Sequence, residues 1–149
     1  YIPGLLSFRE GPPLLRAFEK LRRRPDVVLF DGQGIAHPRG FGLAAHMGLL
    51  LGVPAVGCAK TRLTGSFEEP GPGRGQSTAL MHEGRIIGAV VRTRDRVKPV
   101  FVSAGHRVGH ERAVDIVLRC SRRYRIPEPT RQAHILVNKI RRQAIRDRH

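Results

Sequence analysis

The chain has 149 residues, 40% of them hydrophobic, which suffices for one sizeable core but not two, so a single domain over residues 1–149 is expected. Its 27 Lys and Arg against 12 Asp and Glu give a formal net charge of +15, and 23 of those cations are arginine, whose planar fork matches phosphate oxygens bidentately and so points to a polyanionic partner, DNA or RNA. No apolar run reaches membrane-spanning length and no basic stretch followed by an apolar one opens the chain, so neither a membrane partner nor export is expected, and the location is read as cytoplasmic.

In chain order, Tyr1-Ile2-Pro3-Gly4 reads as a turn. Pro12 and Pro13 suit the opening of a helix with Leu14, Leu15, Phe18 and Leu21 on one stripe, which places Glu10 just before a helix start. Residues 27–30 form a β-branched apolar run that stops on Asp31-Gly32-Gln33-Gly34. Asp31 is thus expected at a strand's carboxyl end, the edge where open α/β sheets bind ligands. Asp-Gly is also ordinary turn chemistry, so the stretch by itself leaves a plain strand terminator open. Residues 41–51 are helix-length and apolar nearly all round, and a second short strand over 53–58 leads to Ala59-Lys60-Thr61. Strand, helix, strand implies parallel neighbours, with Asp31 and Lys60 at one sheet edge.

Residues 62–76 are turn-rich and predict a mobile surface loop; they lack the Gly-Lys-Ser/Thr ending of a phosphate-binding loop. Two strand-like runs flank His82-Glu83-Gly84, a hairpin signal, and a further strand over 97–103 carries Pro99, which argues for an edge position or a bulge. Residues 104–107 form another candidate site loop. A helix over about 111–123 turns Ala113, Ile116, Val117 and Cys120 inward and spaces Asp115 and Arg119 for a surface ion pair. The last helix starts around 127–130, with Ala133, Leu136, Val137 and Ile140 as its core stripe and His134 on the opposite face with Arg131, Asn138 and Arg141. Cys58 and Cys120 have no CxxC spacing and read as buried, reduced thiols.

Most of the carboxylates fall in loops, turns, helix surfaces, first turns or the tail; Glu10 and Asp31 remain, each beside a Gly-rich turn at an element boundary. A hard cation such as Mg²⁺ needs a few such oxygens and fills its other positions with water and phosphate. Two carboxylates from different segments of a basic protein are what a metal-assisted phosphodiesterase requires, and they are equally what simple caps look like. Taken alone, Lys60 reads as a solvated strand-end lysine, His37 and His106 as loop hydrogen-bonding residues, and His134 as either helix surface or a phosphate or water contact.

The segments 1–10, 31–39, 57–60 and 97–106, together with Pro127-Glu-Pro-Thr-Arg-Gln-Ala-His134, resemble the endonuclease V family, the deoxyinosine 3′ endonucleases. The resemblance implies an RNase H-like α/β fold, a mixed sheet flanked by helices. It implies Mg²⁺-dependent hydrolysis, with Mn²⁺ able to substitute, of the second phosphodiester bond 3′ to hypoxanthine in DNA, with inosine in RNA as a further substrate. A monomer is expected. On this resemblance Asp31 corresponds to the metal-binding strand aspartate, Glu10 to the catalytic and metal-binding glutamate, Lys60 to the lysine near the scissile phosphate and His134 to the late active-site histidine. Tyr1, Ile2, Pro3 and Gly4 correspond to the wedge that enters the duplex, and Leu6, Gly32, Leu43 and Gly57 to the base pocket.

The family's further metal-binding aspartate lies on a strand upstream of the wedge, where this chain begins, so the resemblance reads the sequence as an N-terminally truncated member without its first strands. The rival from another class is a basic nucleic-acid-binding protein that performs no chemistry. Under the first reading the 149-residue chain is expected to bind metal yet nick inosine-containing DNA poorly, and a form extended upstream to nick it well. Robust Mg²⁺-dependent nicking by the shorter chain in a gel assay is the result that contradicts this.

Overall fold

Residues 28–30 and 55–59, the two short apolar runs on either side of a buried helix, lie side by side and in parallel, and the rest of the sheet is built outward from the second. The computed structural model describes the backbone of residues 6–149 and the side chains from Arg9 onward. The expected wedge, Tyr1 to Gly4, and the side chain of Leu6 lie outside the described residues. The elements are α1 (Leu6–Glu19), β1 (Val28–Phe30), α2 (Leu43–Leu51), β2 (Ala55–Ala59), β3 (Ser77–His82), β4 (Arg85–Val91), β5 (Val100–His106), α3 (His110–Cys120) and α4 (Glu128–Arg146).

The strands form one mixed sheet in the order β1-β2-β5-β4-β3. β1 and β2 are parallel, with Phe30 opposite Gly57, and the other three pairings are antiparallel. Alternation along the strands sorts the core onto two faces. Val56, Cys58, Val100 and Val102 pack with Ala113 and Val117 of α3. Phe30 and Ala55 pack with Leu43, Ala44 and Met47 of α2, and with Leu14 and Leu15 of α1. The β3–β4 turn, Glu83-Gly84, has φ of 50° and 74°, the two left-handed residues that a tight hairpin needs and that the sequence signalled. Among the described residues no helix is long and apolar enough to cross a membrane.

Several expectations change. Pro12 and Pro13 lie inside α1 rather than at its start, so Glu10 is a helical residue. Each proline removes one intrahelical hydrogen bond, and the burial of Leu14 and Leu15 against α2 offsets that loss. Pro99 precedes a central strand, not an edge one; a missing N–H just ahead of the first paired residue breaks no ladder bond.

Residues 62–76 are tied down. The Arg92 guanidinium, with its residue only 8% exposed, donates to the carbonyls of Pro70 (2.7 Å) and Gly71 (3.0 Å) and to Glu69 Oε1 (3.1 Å). The Arg92 backbone also pairs with Gly75 and Gln76. A buried guanidinium must find acceptors, and this loop supplies them. Finally, the expected core stripe of α4 is exposed: Leu136 is 57%, Val137 61% and Ile140 58% accessible. Periodicity reports that a face is able to be buried, not that the chain supplies a cover for it.

The turn after β1 nests against the sheet because three glycines leave it room. A Cβ on Gly34 would collide with the Ala104 carbonyl, one on Gly57 with the Gly34 amide, and one on Gly42 with the Gln33 and Gly34 carbonyls. Gly34→Ala is therefore expected to cost about 2–3 kcal/mol, read as a lower urea midpoint at unchanged slope. Gly40→Ala, at φ +69° with open space around it, should cost only about 1 kcal/mol.

Candidate active site

Asp31 follows the last residue of β1 and Lys60 the last residue of β2, so parallel pairing brings both to the carboxyl edge. The loop between Asp31 and α2 is fixed by its own backbone. The Gly34 N–H donates to Ser103 Oγ at 2.8 Å and the Ile35 N–H to the Ala104 carbonyl at 2.8 Å. The Gln33 and Gly34 carbonyls accept from the N–H groups of Ala44 and Gly42, both at 2.9 Å. These carbonyls serve the first turn of α2, which has no side-chain cap. Gln33 Nε2 donates to the Thr61 carbonyl at 3.1 Å, joining the loop to the segment that carries Lys60.

α4 delivers the third group. Pro127 and Thr130 are buried at its start, with Thr130 Oγ1 donating to the Pro127 carbonyl at 2.9 Å. One turn on, His134 Nε2 lies 2.6 Å from Asp31 Oδ2. Lys60 Nζ lies 3.3 Å from the same oxygen and 3.2 Å from the same ring nitrogen. So short a distance between nitrogen and carboxylate requires a proton between them. Nε2 therefore carries a hydrogen and donates to Asp31. That nitrogen then has no lone pair for Lys60, whose hydrogen bond goes to Asp31.

The three side chains are 35–47% exposed. At that exposure ion pairs contribute only ~0.2–1 kcal/mol, too little to explain as a fold-stabilising device why three distant segments meet here. Asp31 Oδ2 is doubly engaged, while Oδ1 has no bond to any described residue.

The structure therefore joins three of the four expected catalytic residues. Glu10, in α1, has Arg9 as its ion-pair partner at 4.0 Å, and among the described residues no group of three His, Cys, Asp or Glu is placed to hold a metal ion. Of the expected pocket residues, Gly32 and Gly57 are buried under the loop and Leu43 opens α2 inside the core. His37 is buried and accepts from the Arg39 N–H at 3.1 Å, a loop-ordering role. His106 ends β5 opposite Ala55. The candidate loop at 104–107 is mostly strand. Cys58 lies on β2 behind the edge; burial, then the Asp31 charge, pushes its thiol up to about 12. It is free, as is Cys120.

Sequence reasoning missed Arg125. Its guanidinium donates to the carbonyls of Lys60 (2.8 Å), Lys98 (2.8 Å) and Pro99 (2.9 Å), and its own carbonyl accepts from Thr93 Oγ1 at 2.7 Å. It fastens the α3–α4 linker to the residue opposite His134 and so sets the spacing of the cluster. Standing beside Arg122 and Arg123, it carries no signal that separates it from surface charge. Arg125→Lys keeps the charge but reaches one carbonyl at a time. It should lower stability by about 2 kcal/mol in a denaturant titration and shift the His134 ring resonances in the NMR spectrum.

The sequence profile of the Endonuclease V family matches residues 1–135. Endonuclease V of Dictyoglomus turgidum is 56% identical over 135 residues, 91% of this chain and 59% of that protein; that of Methanothrix thermoacetophila is 58% identical over 136 residues, 91% and 60%. This chain thus spans about 60% of the length of these curated relatives. In three dimensions it matches Endonuclease V of Streptomyces avermitilis with a TM-score of 0.92 at 46% identity, over 97% of this chain and 64% of that one. A Ciona intestinalis Endonuclease V (D234N), in complex with a 23mer DNA containing an inosine followed by a ribo-adenosine, matches with a TM-score of 0.83 at 28% identity, over 97% and 68%. The chain belongs to the Endonuclease V family.

Proposed function

We propose that this chain forms most of the catalytic unit of a repair endonuclease that recognises hypoxanthine in DNA, or inosine in RNA, and hydrolyses the second phosphodiester bond on its 3′ side. The observation that carries this reading is the meeting of Asp31, Lys60 and His134 at the carboxyl edge of two parallel strands. The charge of +15 and the binding of inosine-containing DNA by the Ciona relative support it.

Mg²⁺, with Mn²⁺ able to replace it, is the proposed cofactor. Such an ion is commonly held by one or two carboxylates plus water and phosphate. Asp31 fits, because Oδ1 is left over by His134 and Lys60; Glu10 is proposed as the second ligand. When bound, the ion activates water and stabilises charge on the leaving oxygen. The chain's own residues do the rest. Lys60 neutralises a phosphate oxygen within reach of its Nζ. The proton on His134 Nε2 orients the Asp31 carboxylate and is available to a developing oxyanion.

Hypoxanthine presents a carbonyl and an N–H on its pairing edge, which backbone groups around Gly32 and Gly57 suit once the base is flipped out. On the family resemblance, Leu6 is assigned to the base pocket and residues 1–4 to the vacated stack, while Leu43, buried at the start of α2, would back the pocket from within the core. In a protein extended to the length of its relatives, Asp31→Asn should lower nicking of inosine-containing duplex on the order of 1,000-fold while leaving binding within a few-fold. Equal nicking by the variant, or tight binding by the parent with no metal-dependent nicking at all, would overturn the reading.

A further inference from the structure

The pairing of β1 with β2 ends at Phe30 opposite Gly57, so no bond of that ladder holds Asp31 or Lys60, which both lie beyond it. From Gly34 onward the loop is tied instead to β5, its N–H groups going to Ser103 and Ala104. Gln33 spans the interval between the two regions. Its Nε2 reaches the carbonyl of Thr61, the residue after Lys60, at 3.1 Å.

That side chain is only 7% exposed as a residue, and its Oε1 is buried and accepts no hydrogen bond among the described residues. The Thr61 carbonyl is itself an acceptor, so it fixes which end of the amide faces it and leaves Oε1 as the end without a donor. A buried acceptor in that position costs more than one neutral hydrogen bond returns. An aliphatic side chain of the same length would carry no such cost. Stability therefore gives no reason for an amide at position 33.

The reason lies in what the amide holds. The peptide plane that contains the Lys60 carbonyl also contains the Lys60 Cα. Arg125 donates to that carbonyl at 2.8 Å, and Gln33 donates to the next one along. With two successive carbonyls held, the Lys60 side chain leaves the strand end in one direction, toward Asp31 Oδ2 at 3.3 Å. We propose that Gln33 is a positioning residue: through the Thr61 carbonyl its amide sets Lys60 against Asp31, and it does so while lowering the stability of the fold. This rests on the reading that Lys60 serves phosphodiester cleavage.

The test is Gln33→Met, which keeps the length of the side chain and removes both amide groups. Three measurements are made on it: urea denaturation of the 149-residue protein, NMR of the Lys60 ε-methylene in the same metal-free protein, and steady-state nicking of inosine-containing duplex with Mg²⁺ by a form extended to the length of its relatives. The urea midpoint should be equal to the parent's or higher at unchanged slope. The Lys60 resonances should move while those of the His82 ring, on β3, stay in place. In the extended form kcat should fall by about 10- to 100-fold with KM within about 2-fold of the parent's. A lower midpoint, or a variant that does not fold, makes Gln33 a structural fastener and overturns the proposal. Unmoved Lys60 resonances overturn it as well, whatever happens to kcat, because the amide would then act elsewhere. Equal kcat in a parent that nicks overturns the positioning role and leaves the catalytic reading standing. If the parent never nicks, the catalytic reading falls instead, and the Lys60 resonances and the urea midpoint alone decide whether Gln33 positions that side chain.

Discussion

Everything at the candidate site depends on how closely the turn after β1 can lie against β2 and β5. The turn comes near enough for the Gly34 amide to reach Ser103 and for its carbonyls to serve the first turn of α2, and it does so because positions 34, 42 and 57 carry no Cβ. One set of backbone hydrogen bonds therefore caps a helix, closes a loop and aims a carboxylate. A side chain at any of the three would force the loop outward, and Asp31 with it. The same nesting buries Gly32 and Gly57, so that backbone rather than side chains forms the floor beside Asp31.

The cluster itself contributes little to stability, and its geometry is imposed from behind. Asp31, Lys60 and His134 are half in solvent, where their mutual attraction is weak. The restraint comes from groups that do not reach the surface as charges. Ser103 holds the loop, Thr130 and Pro127 seat the start of α4, and the three carbonyl bonds of Arg125 fix Lys60 relative to that helix. Arginine thus has two uses in this chain: some are spent internally as multidentate fasteners of irregular backbone, and others face water without a protein partner. Net charge adds the two together and distinguishes neither.

That double use marks the limit of what the sequence alone discloses. Asp31 was legible because a β-branched run ending on Asp-Gly is a local signal. The hairpin at Glu83-Gly84 was legible because the turn demands left-handed residues, and the parallel pair because strand, helix and strand follow one another closely. The loop at 62–76 was misread because its anchor, Arg92, lies sixteen residues or more away and looks in sequence like any other arginine. Pro12 and Pro13 suggested a helix start because propensity ignores the tertiary contacts of Leu14 and Leu15. The stripe on α4 was read as core because amphipathicity carries no information about whether a covering element exists.

The thiol of Cys58 stands directly behind the edge that carries Asp31 and Lys60, with burial and the neighbouring carboxylate holding its pKa at about 12. Burial thus keeps the thiol protonated at neutral pH, and the thiolate is the form that peroxides attack. A sulfur placed within the scaffold of the cluster is thereby held in its less reactive, protonated form and packs with the apolar residues Val56, Val100 and Val102.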